Sequence, residues 1–274
     1  MPELPEVETI VRGLREMVLS LEISDVDIRM EKCIAGPLDG LIAALRGREI
    51  VGVERRGKNI IFRLGDGGAL LAHLRMTGKF RFVPEHTPLE KHTHVILSFK
   101  GRPDQLRFVD PRRFGRLMLD RSGEGKMLSH LGPEPLEVSA EEFIRRARDR
   151  RRAIKALLLD QTFLAGVGNI YADEALHRAR IHPRRQSGYL AEAELRRLWR
   201  ELRRILREAI RAGGTSVRSY VNAGGSPGGF QKRLRAYGRE GAPCGNCGRL
   251  IRREQVGGRS TFFCPRCQPA NKRK

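Results

Sequence analysis

The segment CGNCGRLIRREQVGGRSTFFCPRC, residues 244–267, contains four cysteines in two CxxC pairs that sixteen residues separate. One CxxC supplies two thiolates from a single tight turn, and two such pairs can close a tetrahedral zinc site. In a reducing compartment this spacing indicates a metal site rather than disulfides. The segment therefore predicts a zinc finger with one structural Zn²⁺. Its predicted ligands are Cys244, Cys247, Cys264 and Cys267.

Ahead of this finger, the chain changes from a β-rich part to a helical part. Residues 20–120 contain short β-rich runs that Gly, Pro and Asp interrupt. Such runs at close spacing indicate an antiparallel β-sandwich or barrel, which a short amphipathic helix precedes near the N-terminus. Residues 140–212 have helical periodicity, with one apolar stripe bordered by arginines. We therefore expect an α+β protein with domains at 1–132, 133–230 and 231–274.

The charge of the chain indicates a polyanionic partner. Fifty-three Lys and Arg residues oppose 32 Asp and Glu residues, so the net charge is +21 at pH 7. A cationic surface of this kind attracts the phosphates of nucleic acids. The sequence shows neither an apolar run of about 18 residues nor a signal peptide. We therefore expect a cytoplasmic protein that binds nucleic acid and does not enter a membrane.

The N-terminal segment PELPEVET, residues 2–9, places a proline directly after the initiator methionine. Methionine is usually removed before so small a residue, and the mature chain would then begin with a secondary amine. A deprotonated amine is a nucleophile, and the positive end of the helix that follows helps to lower its pKa. Its attack on a sugar carbon gives an iminium, which acts as an electron sink for elimination. On composition alone, however, Pro2 would be interpreted as an ordinary structural proline.

Further motifs follow this segment in order. They are RRGKNI at 55–60, HLRMTGKF at 73–80, DPRRFG at 110–115, LLLDQTFLAGVGNIYADEAL at 157–176 and then the four cysteines. With these motifs the chain resembles the bacterial formamidopyrimidine-DNA glycosylase family, also called MutM. The resemblance implies an N-terminal antiparallel β-sandwich with a flanking helix, a helix–two-turn–helix domain and a C-terminal four-cysteine zinc finger. DNA would lie along the cleft between the domains.

The resemblance also implies an activity and a setting for it. Such an enzyme excises oxidised purines, 8-oxoguanine and formamidopyrimidines, from double-stranded DNA. It then nicks the abasic site by β,δ-elimination through a Schiff base, without an organic cofactor. We accordingly expect a monomer in the bacterial cytoplasm that is associated with the nucleoid through its DNA.

Four residues receive catalytic roles from the resemblance. Pro2 would be the nucleophile that attacks C1′ of the damaged nucleotide, and Glu3 would be the general acid that assists opening of the deoxyribose ring. Lys58, in RRGK, corresponds to a lysine assigned to β-elimination. Arg259 corresponds to an arginine linked to δ-elimination and phosphate binding. Either cation could instead only hold a phosphate.

Seven further residues correspond to DNA contacts of the family. Three of them would fill the hole that an extruded base leaves in the duplex, namely Met76, Arg112 and Phe114. Without the motif match, the methionine and the phenylalanine would be interpreted as core residues. Lys155 and Asn169 are expected to contact phosphates from the helical domain. His92 and Arg150 lie near other DNA contacts of the family. For Arg150, it stays open which arginine of the run 150–152 makes the contact.

Two other functions stay open. One is an endonuclease VIII-like glycosylase that acts on oxidised pyrimidines, against which the ELPE opening and the intact hole-filling trio argue. The other is a non-catalytic, zinc-dependent DNA-binding protein, against which only the Pro2–Glu3 terminus argues. The lesion-reading contacts cannot be transferred, because Arg218 and Thr77 occupy positions that vary between relatives.

Overall fold

The computed structural model describes residues 1–38, 40–123, 125, 128–216 and 228–270. The chain forms two compact units. One comprises Met1–Ser129 with Ala212–Gly229, and the other comprises His130–Arg211 with Phe230–Lys274. The zinc finger therefore shares a unit with the helices that precede it, whereas the three-domain division predicted from the sequence separates them.

Two four-stranded antiparallel sheets build the N-terminal unit. The first consists of β1 (Ile23–Ile28), β6 (Thr93–Phe99), β7 (Asp104–Val109) and β5 (Lys79–Pro84), in that order across the sheet. The second consists of β2 (Ile50–Arg56), β3 (Asn59–Leu64), β4 (Ala69–His73) and β8 (Arg116–Asp120). A 3₁₀ turn at Glu31–Cys33 and a short helix, α2 (Leu41–Leu45), connect β1 to β2. Apolar side chains from both sheets form one core, which confirms the predicted sandwich.

Helix α1 (Leu4–Val18) covers this core at the N-terminus. Its apolar residues recur at helical spacing and are buried, among them Val7, Val11 and Leu14. Glu3 is the N-cap residue, and it forms a reciprocal capping box with Glu6 in the first turn. The first residues of the chain are thereby fixed to a helix that is itself packed into the core.

The described part of the second unit consists of four α-helices and one hairpin, with short connecting segments. The helices are α3 (Ala140–Arg148), α4 (Ile154–Leu159), α5 (Asn169–Ala179) and α6 (Glu192–Arg211). Helix α6 buries its predicted apolar stripe and packs against α3 and α5. Single 3₁₀ turns lie at Ser187–Tyr189 and Phe230–Arg233. Among the described residues, no helix combines the length and the apolar character that a membrane span requires.

The hairpin of the zinc finger consists of β9 (Arg252–Val256) and β10 (Arg259–Phe263). Gly257 and Gly258 connect the two strands, with φ values of +58° and +73°. A two-residue turn with positive φ at both positions matches the twist of a hairpin, and glycine adopts it without steric cost. The turn thus places Arg259 at the first position of β10, and β10 packs against α5.

Candidate functional site

The N-terminal residues are held by the carboxylate of Glu6. Its Oε2 accepts the backbone N–H of Glu3 at 2.8 Å, and its Oε1 accepts the N–H of Thr215 at 2.8 Å. Glu3 is 3 % exposed and Pro2 is buried, whereas Met1 is 46 % exposed. In the encoded chain the Pro2 nitrogen is an amide, and removal of Met1 converts it into an amine at the positive end of α1.

The end of β2, which leads into the turn that carries Lys58, is bonded to the same helix. Arg55 Nε donates to Glu8 Oε2 at 3.0 Å, and this guanidinium is only 9 % exposed. The RRGKNI motif thus contacts the PELPEVET motif, although about fifty residues separate them in sequence. Lys58 follows in the β2–β3 turn and is 7 % exposed. The structure therefore anchors two predicted catalytic segments to one helix, α1.

His73 is a residue of this region that the sequence did not single out. The β3–β4 register pairs it with Asn59, next to Lys58. Burial, together with the charges of Arg75 and Lys58, lowers the pKa of His73 to about 4, so the ring is neutral at neutral pH. Because Nδ1 accepts the N–H of Arg75 at 3.0 Å, the ring proton lies on Nε2. The imidazole can therefore donate one hydrogen bond to an anion.

The three predicted hole-filling side chains lie at the surface. Met76 is 37 % exposed and Phe114 is 48 % exposed, so neither belongs to the core. The guanidinium carbon of Arg112 lies 4.9 Å from the centroid of the Phe114 ring. These two apolar side chains are therefore accessible from solvent, as the predicted hole-filling role requires.

One buried carboxylate, that of Asp110, holds both of these loops. Its Oδ1 accepts the hydroxyl of Thr77 and the N–H of Arg112, and its Oδ2 accepts the N–H of Gly115 at 2.7 Å. Asp110 is fully buried, so these charge-assisted hydrogen bonds form away from water. Gly115 is required here, because a Cβ atom would lie 2.5 Å from the Phe108 ring. Asp110 thus fixes the residue after Met76 and both ends of the Arg112–Phe114 loop.

His92 is bonded to the backbone of the same aspartate. Its backbone oxygen accepts the N–H of Asp110 at 3.0 Å, and its own φ is +71°. The His94 ring, 6.3 Å from the His92 ring, contacts the Asp110 carbonyl through Nε2 at 2.8 Å. His92 itself is half-buried, so part of its ring remains available at the surface.

In the second unit, Lys155 lies in the interior, at the contact between α4 and the zinc-finger hairpin. This side chain is fully buried and cannot contact a phosphate in this conformation. Its Nζ lies 2.7 Å from Asp173 Oδ1 and donates to Thr261 Oγ1 at 2.8 Å and to the Ser260 carbonyl at 2.9 Å. One buried ion pair and two hydrogen bonds thus hold the ammonium group. Lys155 therefore holds the two residues of β10 that follow Arg259, and the side chain of Arg259 is exposed.

Asn169 begins α5, where the positive end of the helix dipole favours a phosphate. Its Nδ2 donates to the Ser260 carbonyl at 2.9 Å, so this helix end is joined to the hairpin. In the run 150–152, Arg152 pairs with Asp160 at 2.8 Å, and Arg150 is exposed. The structure leaves the register of that contact open.

Glu174 is a second buried acid that the sequence analysis passed over. It is fully buried in α5, and its carboxylate accepts three successive backbone N–H groups, those of Arg235, Ala236 and Tyr237, at 2.7–3.0 Å. The Tyr237 ring packs edge-on against Phe262, at 5.3 Å between centroids. The segment 235–237 is therefore held to α5 by hydrogen bonds to one carboxylate. The predicted lesion-closing loop around Arg218 lies outside the described residues.

The four cysteines of the finger form one metal site. Their Sγ atoms all lie within 4.8 Å of one another, with Cys244 to Cys267 at 3.9 Å and Cys247 to Cys264 at 3.5 Å. A tetrahedron with Zn–S bonds of about 2.3 Å has S–S edges of about 3.8 Å, so the cluster fits zinc. Since four thiolates complete the coordination sphere, the metal is structural. The predicted single Zn²⁺ is confirmed by this cluster and by the family match that follows.

Three family models match the chain. They describe a formamidopyrimidine-DNA glycosylase N-terminal domain at residues 1–117, the H2TH domain of the same enzymes at 131–221, and a zinc finger found in FPG and IleRS at 241–270. A formamidopyrimidine-DNA glycosylase of Desulfitobacterium hafniense is 47% identical over 274 residues, which cover 98% of this chain and 100% of the relative.

Solved structures agree with this match. The MutM (Fpg) protein from Thermus thermophilus superposes with a TM-score of 0.89 at 47% identity, over 98% of this chain and 100% of that one. A MutM in complex with DNA that contains carbocyclic 8-oxo-G superposes with a TM-score of 0.91 at 37% identity, with the same coverage. The chain belongs to the formamidopyrimidine-DNA glycosylase family, as its motifs predicted.

Proposed function

We propose that this protein is a bifunctional base-excision-repair glycosylase that removes 8-oxoguanine and formamidopyrimidines from DNA and then nicks the abasic site. The observation that carries the proposal is the N-terminal arrangement, in which Pro2 and Glu3 are buried at the start of α1. Arg55, just ahead of the turn that carries Lys58, is bonded to the same helix. Family membership supports the same reading. Its place of action is the DNA of the bacterial nucleoid, in the cytoplasm.

The reaction begins with the Pro2 nitrogen, once Met1 has been removed. Its lone pair forms a bond to C1′, and the bond from C1′ to the base breaks. The base departs with the proton that the Pro2 nitrogen gives up, and the sugar ring opens as Glu3 delivers a proton to O4′. The product is a cationic iminium, which acidifies the C2′ proton. Loss of that proton expels the 3′ phosphate, and a second elimination expels the 5′ phosphate. Lys58 is the proposed base for the first elimination, and Arg259 neutralises phosphate charge.

The hole left by the extruded base is filled by Met76, Arg112 and Phe114 in this proposal. A base leaves the stack at a cost of a few kcal/mol, which a side chain in the vacated space offsets. The planar cation of Arg112 can pair with the orphaned base, and the Phe114 ring can wedge between base steps. Asp110 supports this role because it holds the loops in one arrangement.

Arg112→Ala is expected to relax discrimination of the base opposite the lesion by about 1–3 kcal/mol, because it removes the group that pairs with that base. Excision rates from duplexes with each of the four opposite bases measure the effect. Arg113→Ala is the matched control, since it removes the same charge from the neighbouring exposed position. If Arg112→Ala keeps the wild-type order and spread of rates, Arg112 does not read the opposite base.

Glu3→Gln is expected to slow base removal by about 10²–10⁴-fold, because the amide cannot deliver the early proton. Cleavage of a preformed abasic site should fall far less, since no base then has to depart. Single-turnover rates on both substrates measure the difference. Glu16→Gln, an exposed acid of the same helix, is the control. Equal losses on the two substrates would remove Glu3 from its role as general acid.

Cys244→Ser is expected to weaken binding of lesion DNA while leaving Pro2 chemically competent. Zinc that completes its site with four thiolates holds the finger together but touches no reacting atom. Anisotropy titrations give the affinity, and rates at saturating enzyme give the chemistry. Cys33→Ser, at a buried cysteine of the other unit, is the control. A variant that binds normally but cannot cleave would contradict a purely structural metal.

Matched duplexes with 8-oxoguanine, formamidopyrimidine or thymine glycol test the proposed function as a whole. We expect excision of the two purine lesions with strand nicking, and much slower release of thymine glycol. A preference for thymine glycol would establish the endonuclease VIII-like alternative. Tight binding without any nicking would establish a non-catalytic DNA-binding protein.

A further inference from the structure

Side chains on one face of α5 form hydrogen bonds with the C-terminal segment, residues 235–267, that contains the four cysteines. Asn169 donates to the Ser260 carbonyl of the hairpin, and Asp173 accepts the N–H of Phe262 in β10. Glu174 accepts N–H groups of the segment 235–237, and His177 contacts the sulfur of a cysteine. Residues three or four apart on a helix lie on the same side, so these side chains share a face. Three of these contacts are to the backbone, and the fourth is to a zinc ligand.

The fourth contact joins His177 Nε2 to Cys244 Sγ at 3.5 Å, within hydrogen-bond distance for sulfur. His177 is 1 % exposed, so water does not compete for this bond. A zinc-bound cysteine is a thiolate, which can only accept. Nε2 must therefore carry the hydrogen, whether the ring is neutral or cationic. Nδ1 is buried and has no hydrogen-bond partner among the described residues, so the contact to sulfur is the polar anchor of the ring.

We propose that His177 is a positioning residue for the zinc site, which donates Nε2–H to the Cys244 thiolate and thereby links the metal to α5. The hydrogen bond orients the thiolate and disperses part of the negative charge that four thiolates place around one Zn²⁺. It also connects the metal to the helix whose first residue, Asn169, is bonded to the hairpin that carries Arg259. Bound zinc thus helps to fix α5 against the finger at both of its ends, through His177 near one end and Asn169 at the other.

Zinc affinity gives the first test, by competition with a chromophoric chelator. Partners that hydrogen-bond to metal ligands typically contribute 10–100-fold to metal affinity, and we expect a loss of about this size for His177→Phe. His177→Gln, which retains an N–H donor, should recover part of it. His182→Gln is the control, since that ring is also buried in this unit but packs on Phe263, at 4.7 Å between centroids. Equal losses in His177→Phe and the control would overturn the proposal.

Cadmium NMR on the wild-type protein gives a second test that does not depend on how a variant folds. With zinc replaced by an NMR-active cadmium isotope, a proton that bridges to a metal-bound sulfur shows scalar coupling to the metal. We expect such a coupling from Hε2 of His177. A ring that carries its proton only on Nδ1, with no coupling to the metal, would overturn the proposal.

Discussion

A chain that keeps any residue ahead of Pro2 is expected to lose both base removal and strand nicking, by on the order of 10⁴-fold or more. An amide nitrogen delocalises its lone pair into the carbonyl group, so it cannot form the bond to C1′. The fold cannot compensate, because the N-cap at Glu3 fixes the nitrogen of Pro2 at one place at the start of α1. Single-turnover rates on 8-oxoguanine DNA measure the loss.

The matched comparison uses one preparation with a removable N-terminal extension. Before cleavage the extension blocks the Pro2 nitrogen, and after cleavage the same protein begins at Pro2 and should regain full rates. A C-terminal tag of the same length controls for the presence of a tag. Binding to lesion DNA should change much less than the rates. Full activity of the blocked chain would move the nucleophile elsewhere, with Lys58 as the first candidate.

Binding to DNA is expected to weaken by about 10³–10⁵-fold between about 50 and 200 mM salt. This range holds for a protein that neutralises about 6–10 phosphates, and a chain of net charge +21 has the cations to do so. Twelve of its basic residues, against two acids, fall in residues 231–274. Anisotropy titrations at several salt concentrations give the slope of affinity against salt.

Arg259→Ala sharpens this measurement, because loss of one phosphate contact should reduce the salt slope by about one. Arg12→Ala is the comparison, since that guanidinium is exposed and already paired with Glu8 at 2.9 Å. It should leave the slope unchanged. An affinity that barely responds to salt would contradict phosphate-dominated binding, and an unchanged slope in Arg259→Ala would remove that residue from the phosphate contacts.

The zinc ligands and the architecture could be predicted from the sequence because their signals are local. Two CxxC pairs are tight turns whatever surrounds them, and short β-rich runs indicate a sandwich without knowledge of strand order. The exposure of Met76 and Phe114 to solvent was harder to predict from the sequence. Composition alone placed them in the core, and only the family motifs indicated a surface that meets DNA.

The residues that the sequence did not predict act across long separations. Asp110 bonds to Thr77, 33 residues away, and nothing local distinguishes it from other loop acids. The burial of Lys155 depends on Asp173 and on Thr261, which lies 106 residues further along the chain. His73 lies beside Asn59 because β3 and β4 pair in one particular register, and its low pKa depends on burial that only the folded chain provides. Such contacts require the tertiary structure.

Borohydride trapping on lesion DNA, followed by mapping of the cross-linked peptide, tests the central claim most directly. Reduction converts the iminium into a stable amine bond between protein and C1′, so the modified residue identifies the nucleophile. We expect a single adduct on the first peptide, at the nitrogen of Pro2, in a chain from which Met1 has been removed. An adduct on the peptide that contains Lys58, with Pro2 unmodified, would contradict the mechanism.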